Sequence, residues 1–160
     1  MSSPTAEEVR AAFGAGPFVS GWTEVTQALM DRFAEVTRDP DWMHIDPVRA
    51  AREGPLDGTI AFGFWTLSML TWFLRESMGR EYPMGAQYGF NYGLDRVRFL
   101  APIPVGSRIR NRMSLTNVTR KGPGRFVVTT HNEVEVEGQA RPAMVADWLL
   151  MLVYPPDEAA

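Results

Sequence analysis

The chain has 160 residues, 45% hydrophobic and 22% charged, a length and balance suited to one domain with its own core, which excludes a disordered chain. Its net charge of −3 and pI near 5.4 argue against nucleic acid as the main partner. It has no cysteine, which excludes disulfide frameworks, thiolate metal sites and thiol nucleophiles and fits a reducing compartment. Glu7, Glu8 and Arg10 fall where a secretory signal would need an apolar stretch. The uncharged run Ile60–Leu74 ends at Arg75-Glu76, short of a membrane span. The expectation is one soluble, cytoplasmic domain over 1–160, with a lead-in at 1–21, a loose tail at 155–160, and neither nucleic acid nor membrane as a partner.

Val9 and Phe13 are spaced like one turn of amphipathic helix, and Trp22–Val25 reads as a short strand. Thr26 then caps a helix over 27–36, with Leu29, Phe33 and Val36 as the stripe expected to face the core. Asp39-Pro40 and Asp46-Pro47 both have the form of a helix cap followed by proline at the first helical position. Asp39 and His44 are also the first candidates for acid–base chemistry. Their five-residue spacing suits neither a helix face nor a strand face, so they converge only if the turn between them curls back. The other histidine, His131, falls on the opposite parity from Phe126, Val128, Val134 and Val136, beside Glu133 and Glu135, and reads as solvent-exposed.

The run from Ile60 predicts a long helix buried on all sides, capped by Thr59 and stopped at Gly79. Gly63 lies in its first turn, where backbone N–H groups are free. It reads either as an oxyanion donor or as a site of close helix–sheet packing. Arg80–Gly93, rich in Gly, Tyr and Pro, reads as a loop that could serve as a lid, or as an irregular edge. Strands follow at 95–100, 107–119, 126–137 and 143–154, the last apolar on both faces and so expected to be central and covered on both. Arg108, Arg110 and Arg112 form a stripe that reads as a solvated face or as a site for a phosphorylated ligand such as coenzyme A. One long helix followed by a meander of antiparallel strands gives an α+β fold, a helix wrapped by a curved sheet.

Three blocks then resemble a known family. Thr37–Asp46 (TRDPDWMHID) is similar to the (S/T)GDxNP(I/L)HxD signature of the MaoC-like dehydratases and (R)-specific enoyl-CoA hydratases, and to the DxQWIHxD form of their nodulation-protein-N-like branch. Gly58–Leu70 (GTIAFGFWTLSML) resembles GTIAHGFLTLSLL, and Asn91–Arg110 resembles NYGLxKVRFxxPVPVGSRIR. The likeness spans about Trp22 to Tyr154.

This resemblance implies a hotdog fold, with Asp39 and His44 as the catalytic pair and the Gly63 N–H as oxyanion donor to a thioester carbonyl. Phe62, Thr71, Asp41 and Asn91 become the substrate-binding or supporting positions, Thr71 as a hydroxyl that steadies the aspartate. The implied reaction is hydration of a trans-2-enoyl thioester to its (R)-3-hydroxyacyl form, or the reverse. The acyl group is carried by coenzyme A or acyl carrier protein, with no metal or redox cofactor and a homodimer as the assembly. Two residues depart from the family pattern: Asp41 replaces Asn or Gln, adding a carboxylate near Asp39, and Phe62 replaces a histidine. The alternatives are a non-catalytic acyl-thioester binder and an acyl-CoA thioesterase.

Overall fold

Local signals fix the first elements. In the computed structural model, which describes residues 3–79 and 85–155, α1 (Ala6–Phe13) starts at a capping box between Thr5 and Glu8 and buries Val9 and Phe13. Two short strands, β1 (Phe18–Val19) and β2 (Thr23–Glu24), lead to α2 (Gln27–Thr37). The Thr26 hydroxyl accepts the Leu29 N–H and caps α2 as expected. Leu29 and Phe33 of the expected stripe pack partly buried against the core, and the stripe fails at Val36. Met30 and Ala34 are the buried residues, while Val36 is 82% exposed. The small Ala34 allows close approach one turn after Met30, and Val36 lies about 120° round the helix from Met30.

One-turn α3 (Trp42–Ile45) and α4 (Pro47–Glu53) follow. Asp46 caps α4 by accepting the Arg49 N–H, with Pro47 at the first helical position. The matching expectation for Asp39-Pro40 is corrected: the cap of α3 is Asp41, which accepts the Met43 N–H at 2.9 Å.

The central helix is broken. α5 (Gly63–Ser68) gives way at Met69 to α6 (Leu70–Met78), where the Met69 N–H is shared between the Trp65 and Thr66 carbonyls and tightens the turn. Trp65, Leu70, Phe73 and Leu74 are buried, but Phe64 is 74% exposed, so the expectation of burial on all sides fails. Thr59 does not cap it either. Its hydroxyl donates to Gln27, and Phe62, at the cap position, supplies no side-chain bond. Gly79 ends α6 in a left-handed conformation (φ 63°).

The sheet is antiparallel in the order β1-β4-β5-β6-β3, with β2 also on β4. It comprises β3 (Tyr88–Phe99), β4 (Arg108–Gly122), β5 (Arg125–Val136) and β6 (Met144–Val153) besides the two short strands. Residues 88–93, expected as loop, are strand. They pair with β6 through bulges at Tyr92 and at 96–97, so paired backbone absorbs the glycines. Tyr82 and Pro83 of that expected loop lie outside the described residues, as do 156–160 of the tail. Ile109, Met113, Phe126, Val128, Met144 and Leu152 pack with Phe73 and Leu70 in one core between sheet and helix. β6 is central, yet covered on one face only: Val145, Leu149, Met151 and Val153 stay half-buried on the outer face. No helix among the described residues is long and apolar enough to cross a membrane.

Candidate active site

The site begins at the end of α2. Arg38 closes that helix in a left-handed conformation (φ 58°) rare for a side chain of its size, and the Asp39 N–H returns to the Ala34 carbonyl at 3.1 Å. This turn throws Asp39 outward. The carboxylate is exposed and accepts the Asp41 N–H at 3.3 Å, an Asx turn that starts α3. α3 then presents His44 toward the segment before α5.

Two bonds zip these pieces together. The Ile60 N–H donates to the Met43 carbonyl at 3.1 Å, and His44 Nδ1 meets the Ile60 carbonyl at 2.7 Å. A carbonyl only accepts, so this bond requires the proton on Nδ1 and leaves Nε2 with a free lone pair in the neutral ring. The other side of Ile60 is fixed too: the Ala61 N–H reaches the Ile103 carbonyl and the Val105 N–H the Thr59 carbonyl. Phe62, 4% exposed, lies against the imidazole with ring centroids 3.8 Å apart, and Phe33 backs it at 5.2 Å. The residue that replaces the family histidine therefore supports the His44 ring from behind.

His44 and Gly63 line one cavity of about 310 Å³ with Phe99, Ala101, Ile103 and Met144. Gly63 is the first residue of α5, and its N–H meets no acceptor among the described residues. A Cβ there would lie 3.1 Å from the Phe99 ring. Both sequence readings of Gly63 thus coexist: a free N–H on a cavity, and a backbone that must sit close to an aromatic ring.

Thr71 and Asn91 lie elsewhere. They line a neighbouring cleft of about 470 Å³ between α5–α6 and β3, with Phe64, Leu94 and Trp148. Asn91 accepts the Trp148 indole N–H at 3.1 Å. The Thr71 hydroxyl donates to the Ser68 carbonyl of its own helix rather than to Asp39. Phe64 and Phe99 meet edge to face between the two spaces, centroids 6.3 Å apart. Within the chain, then, His44, Gly63 and Phe62 come together. Thr71 and Asn91 form a second group, and no hydrogen bond joins Asp39 to His44. Among the described residues no cluster of three or more His, Asp or Glu is placed to hold a metal ion.

Sequence reasoning missed the Ile60 carbonyl, because any residue supplies one, and Phe99, whose role depends on where its strand ends. Two arginines of the stripe pair across the sheet: Arg108 with Glu137 and Arg110 with Glu135 at 2.6 Å, Arg110 also over the Trp22 ring. His131 is on the same face as expected, half-exposed, but tied to Asp147 at 2.8 Å.

The chain matches the family described as "MaoC like domain" over residues 9–138. The chain belongs to the MaoC-like dehydratases. It is 42% identical over 141 residues to "Nodulation protein N" of Rhizobium leguminosarum bv. viciae, covering 87% of this chain and 85% of that one. It is 42% identical over 146 residues to "3-hydroxyacyl-thioester dehydratase Z" of Mycobacterium tuberculosis (strain ATCC 25618 / H37Rv), covering 91% and 94%. Two solved structures share the fold. The monoamine oxidase regulatory protein of Archaeoglobus fulgius has a TM-score of 0.78 at 20% identity, covering 98% of both chains. The (R)-hydratase of A. caviae has a TM-score of 0.69 at 17% identity, covering 89% of this chain and 97% of that one. The MaoC-like hotdog architecture is thus that of a dehydratase family, and the chain is an enzyme of the lyase class.

Proposed function

We propose that this MaoC-like protein hydrates a trans-2-enoyl thioester to the (R)-3-hydroxyacyl thioester, or runs the reverse dehydration. The observation that carries the reading is the fixed His44 ring, whose Nε2 lone pair is available beside a cavity that also holds an unpaired Gly63 N–H. In the hydration direction Asp39 and His44 hold one water. One of its protons passes to His44 Nε2 as its oxygen bonds to C3 of the enoyl group. The C2=C3 electron pair moves toward the thioester carbonyl, and the Gly63 N–H stabilises the resulting enolate oxygen. C2 then takes a proton from the Asp39–His44 pair, so the product has gained one water. The steps call on no metal or redox group, and coenzyme A enters only as the carrier of the acyl chain, with acyl carrier protein as the other carrier.

Phe62 supports the general base, Asp41 holds the turn that carries it, and the cleft of Thr71 and Asn91 receives part of the acyl thioester. We also infer a homodimer. β3 is a sheet edge with exposed Tyr88, Phe90, Tyr92 and Leu94, next to exposed Phe64 and Trp72 on the helix, and pairing with a second copy would cover this surface.

The test is loss of enoyl absorbance with crotonyl-CoA and a longer trans-2-enoyl-CoA, for wild type, Asp39→Ala and His44→Ala. Turnover that collapses in both variants is expected. One observation favours a second reading, that of an acyl-thioester binder without turnover: Asp39 is exposed and unbonded to His44. Tight binding of the acyl-CoA with no turnover at any chain length would establish that reading instead, and release of free thiol would mark a thioesterase.

A further inference from the structure

The His44 ring has its Nδ1–H on Ile60, and a single side chain from another helix spans the two segments that make this bond. Gln27, the first residue of α2, donates from Nε2 to the His44 main-chain carbonyl at 2.7 Å. Its Oε1 accepts the Thr59 hydroxyl at 2.5 Å. Thr59 immediately precedes Ile60, the acceptor of the His44 ring. The amide therefore bridges residue 44 to residue 59, alongside the ring–carbonyl bond between residues 44 and 60. Its orientation is chemically fixed. The NH2 group faces two acceptors, the His44 carbonyl and the Asp31 carboxylate at 2.8 Å, and the oxygen faces a hydroxyl. Both ends of a primary amide are needed. A carboxylate of the same shape would set an oxygen against the His44 carbonyl.

We propose that Gln27 is a positioning residue for His44, holding α3 against residues 59–60 so that Nδ1 keeps its proton on the Ile60 carbonyl and Nε2 keeps its lone pair toward the cavity. The catalytic consequence rests on the hydration–dehydration reading above, but the effect on the ring does not. The substitutions are Gln27→Leu, which deletes all three side-chain bonds, and Gln27→Glu, which keeps the shape and loses the donor. Thr59→Val removes only the hydroxyl and leaves the Gln27–His44 bond.

Three quantities decide the matter: the 15N shifts of the imidazole nitrogens, kcat and KM with an enoyl-CoA, and the melting temperature. With two histidines in the chain, His131→Gln assigns the ring signals. Wild type should show the single Nδ1-protonated tautomer. Gln27→Leu and Gln27→Glu should average the two nitrogen signals and lower kcat by about 10- to 100-fold, with KM changed less than about threefold. Thr59→Val should give a smaller change in the same direction. Variants that melt earlier but keep wild-type nitrogen shifts would overturn the proposal, as would unchanged shifts and kcat together. If wild type turns over no enoyl thioester, the nitrogen shifts alone still judge Gln27, so the two readings fail separately.

Discussion

The two histidines sit on opposite faces of the sheet and are held by bonds of nearly equal length. His44 Nδ1 lies 2.7 Å from a main-chain carbonyl, and His131 Nδ1 lies 2.8 Å from a carboxylate. The surroundings make them different devices. His44 is backed by Phe62 and opens onto a cavity shared with Gly63. His131 faces the outer side of β5, where Asp147, 2% exposed, is gripped by both His131 and Arg96 and ties β3, β5 and β6 together. Burial works against the charge on Asp147. The hydrogen bonds from His131 and Arg96, with their charges, outweigh it and hold its carboxyl below the ordinary aspartate value. One histidine is oriented by a neutral acceptor and lines a cavity. The other completes a cross-strand ion pair. The partner and the space around the ring, not the residue type, set the two apart.

The sharpest break of this comparison exchanges the two positions. His44→Gln should lower kcat/KM for enoyl-CoA hydration by about 10²- to 10⁴-fold, while His131→Gln should stay within about threefold of wild type. Equal losses would dissolve the distinction. Next comes Gly63→Pro, which deletes the N–H at a first helical position where proline is tolerated. The extended backbone of Phe62 (ψ 134°) already suits a following proline. Because a new Cβ would crowd Phe99, the substitution belongs beside Phe99→Leu alone as the reference. The expected loss is about 10²- to 10³-fold in kcat, with the fold retained by circular dichroism.

Phe62→Leu keeps most of the buried volume and removes the ring contact with His44. A stacked pair worth about 0.5–1.5 kcal/mol predicts a kcat about 3- to 10-fold lower, and Phe62→Trp or Phe62→His should recover part of it. The smallest effect belongs to the outer face. Asp147→Asn should cost about 1–3 kcal/mol in urea unfolding at neutral pH and leave kcat near wild type. Since the folded-state pKa of Asp147 is depressed, its contribution is present above the unfolded value near 3.9 and lost as pH falls through the folded value. The stability gap between wild type and Asp147→Asn should therefore close below about pH 4. A gap that does not narrow at all as pH falls below that value would show that shape and packing, not charge, make the cross-strand tie.

Features that depend on neighbours in sequence were legible from the chain alone. Thr26 and Asp46 cap helices because a cap bonds an N–H two or three residues on, and Gly79 stops α6 because a left-handed residue is needed there. The alternation along β5 set Phe126, Val128, Val134 and Val136 opposite His131, and that face is the buried one, because a strand has period two. The family blocks carried the hotdog architecture. What went astray depended on distant contacts. Val36 matched the helical period but lay off the face that Met30 and Ala34 press inward. The Gly- and Tyr-rich stretch 88–93 became strand because β6 offered it hydrogen-bonding partners.

The sequence by itself thus determined where α2 and α4 begin and where α6 ends, which faces of β4 and β5 are polar, and which family the chain resembles. All of these are written in short-range spacing and composition. Only the tertiary structure decided that a carbonyl 16 residues away bonds the His44 ring, that Gln27 bridges residues 44 and 59, and that Thr71 and Asn91 line a different space from Gly63. Those relations are distances between segments remote in the chain, set by how the broken helix lies in the curved sheet.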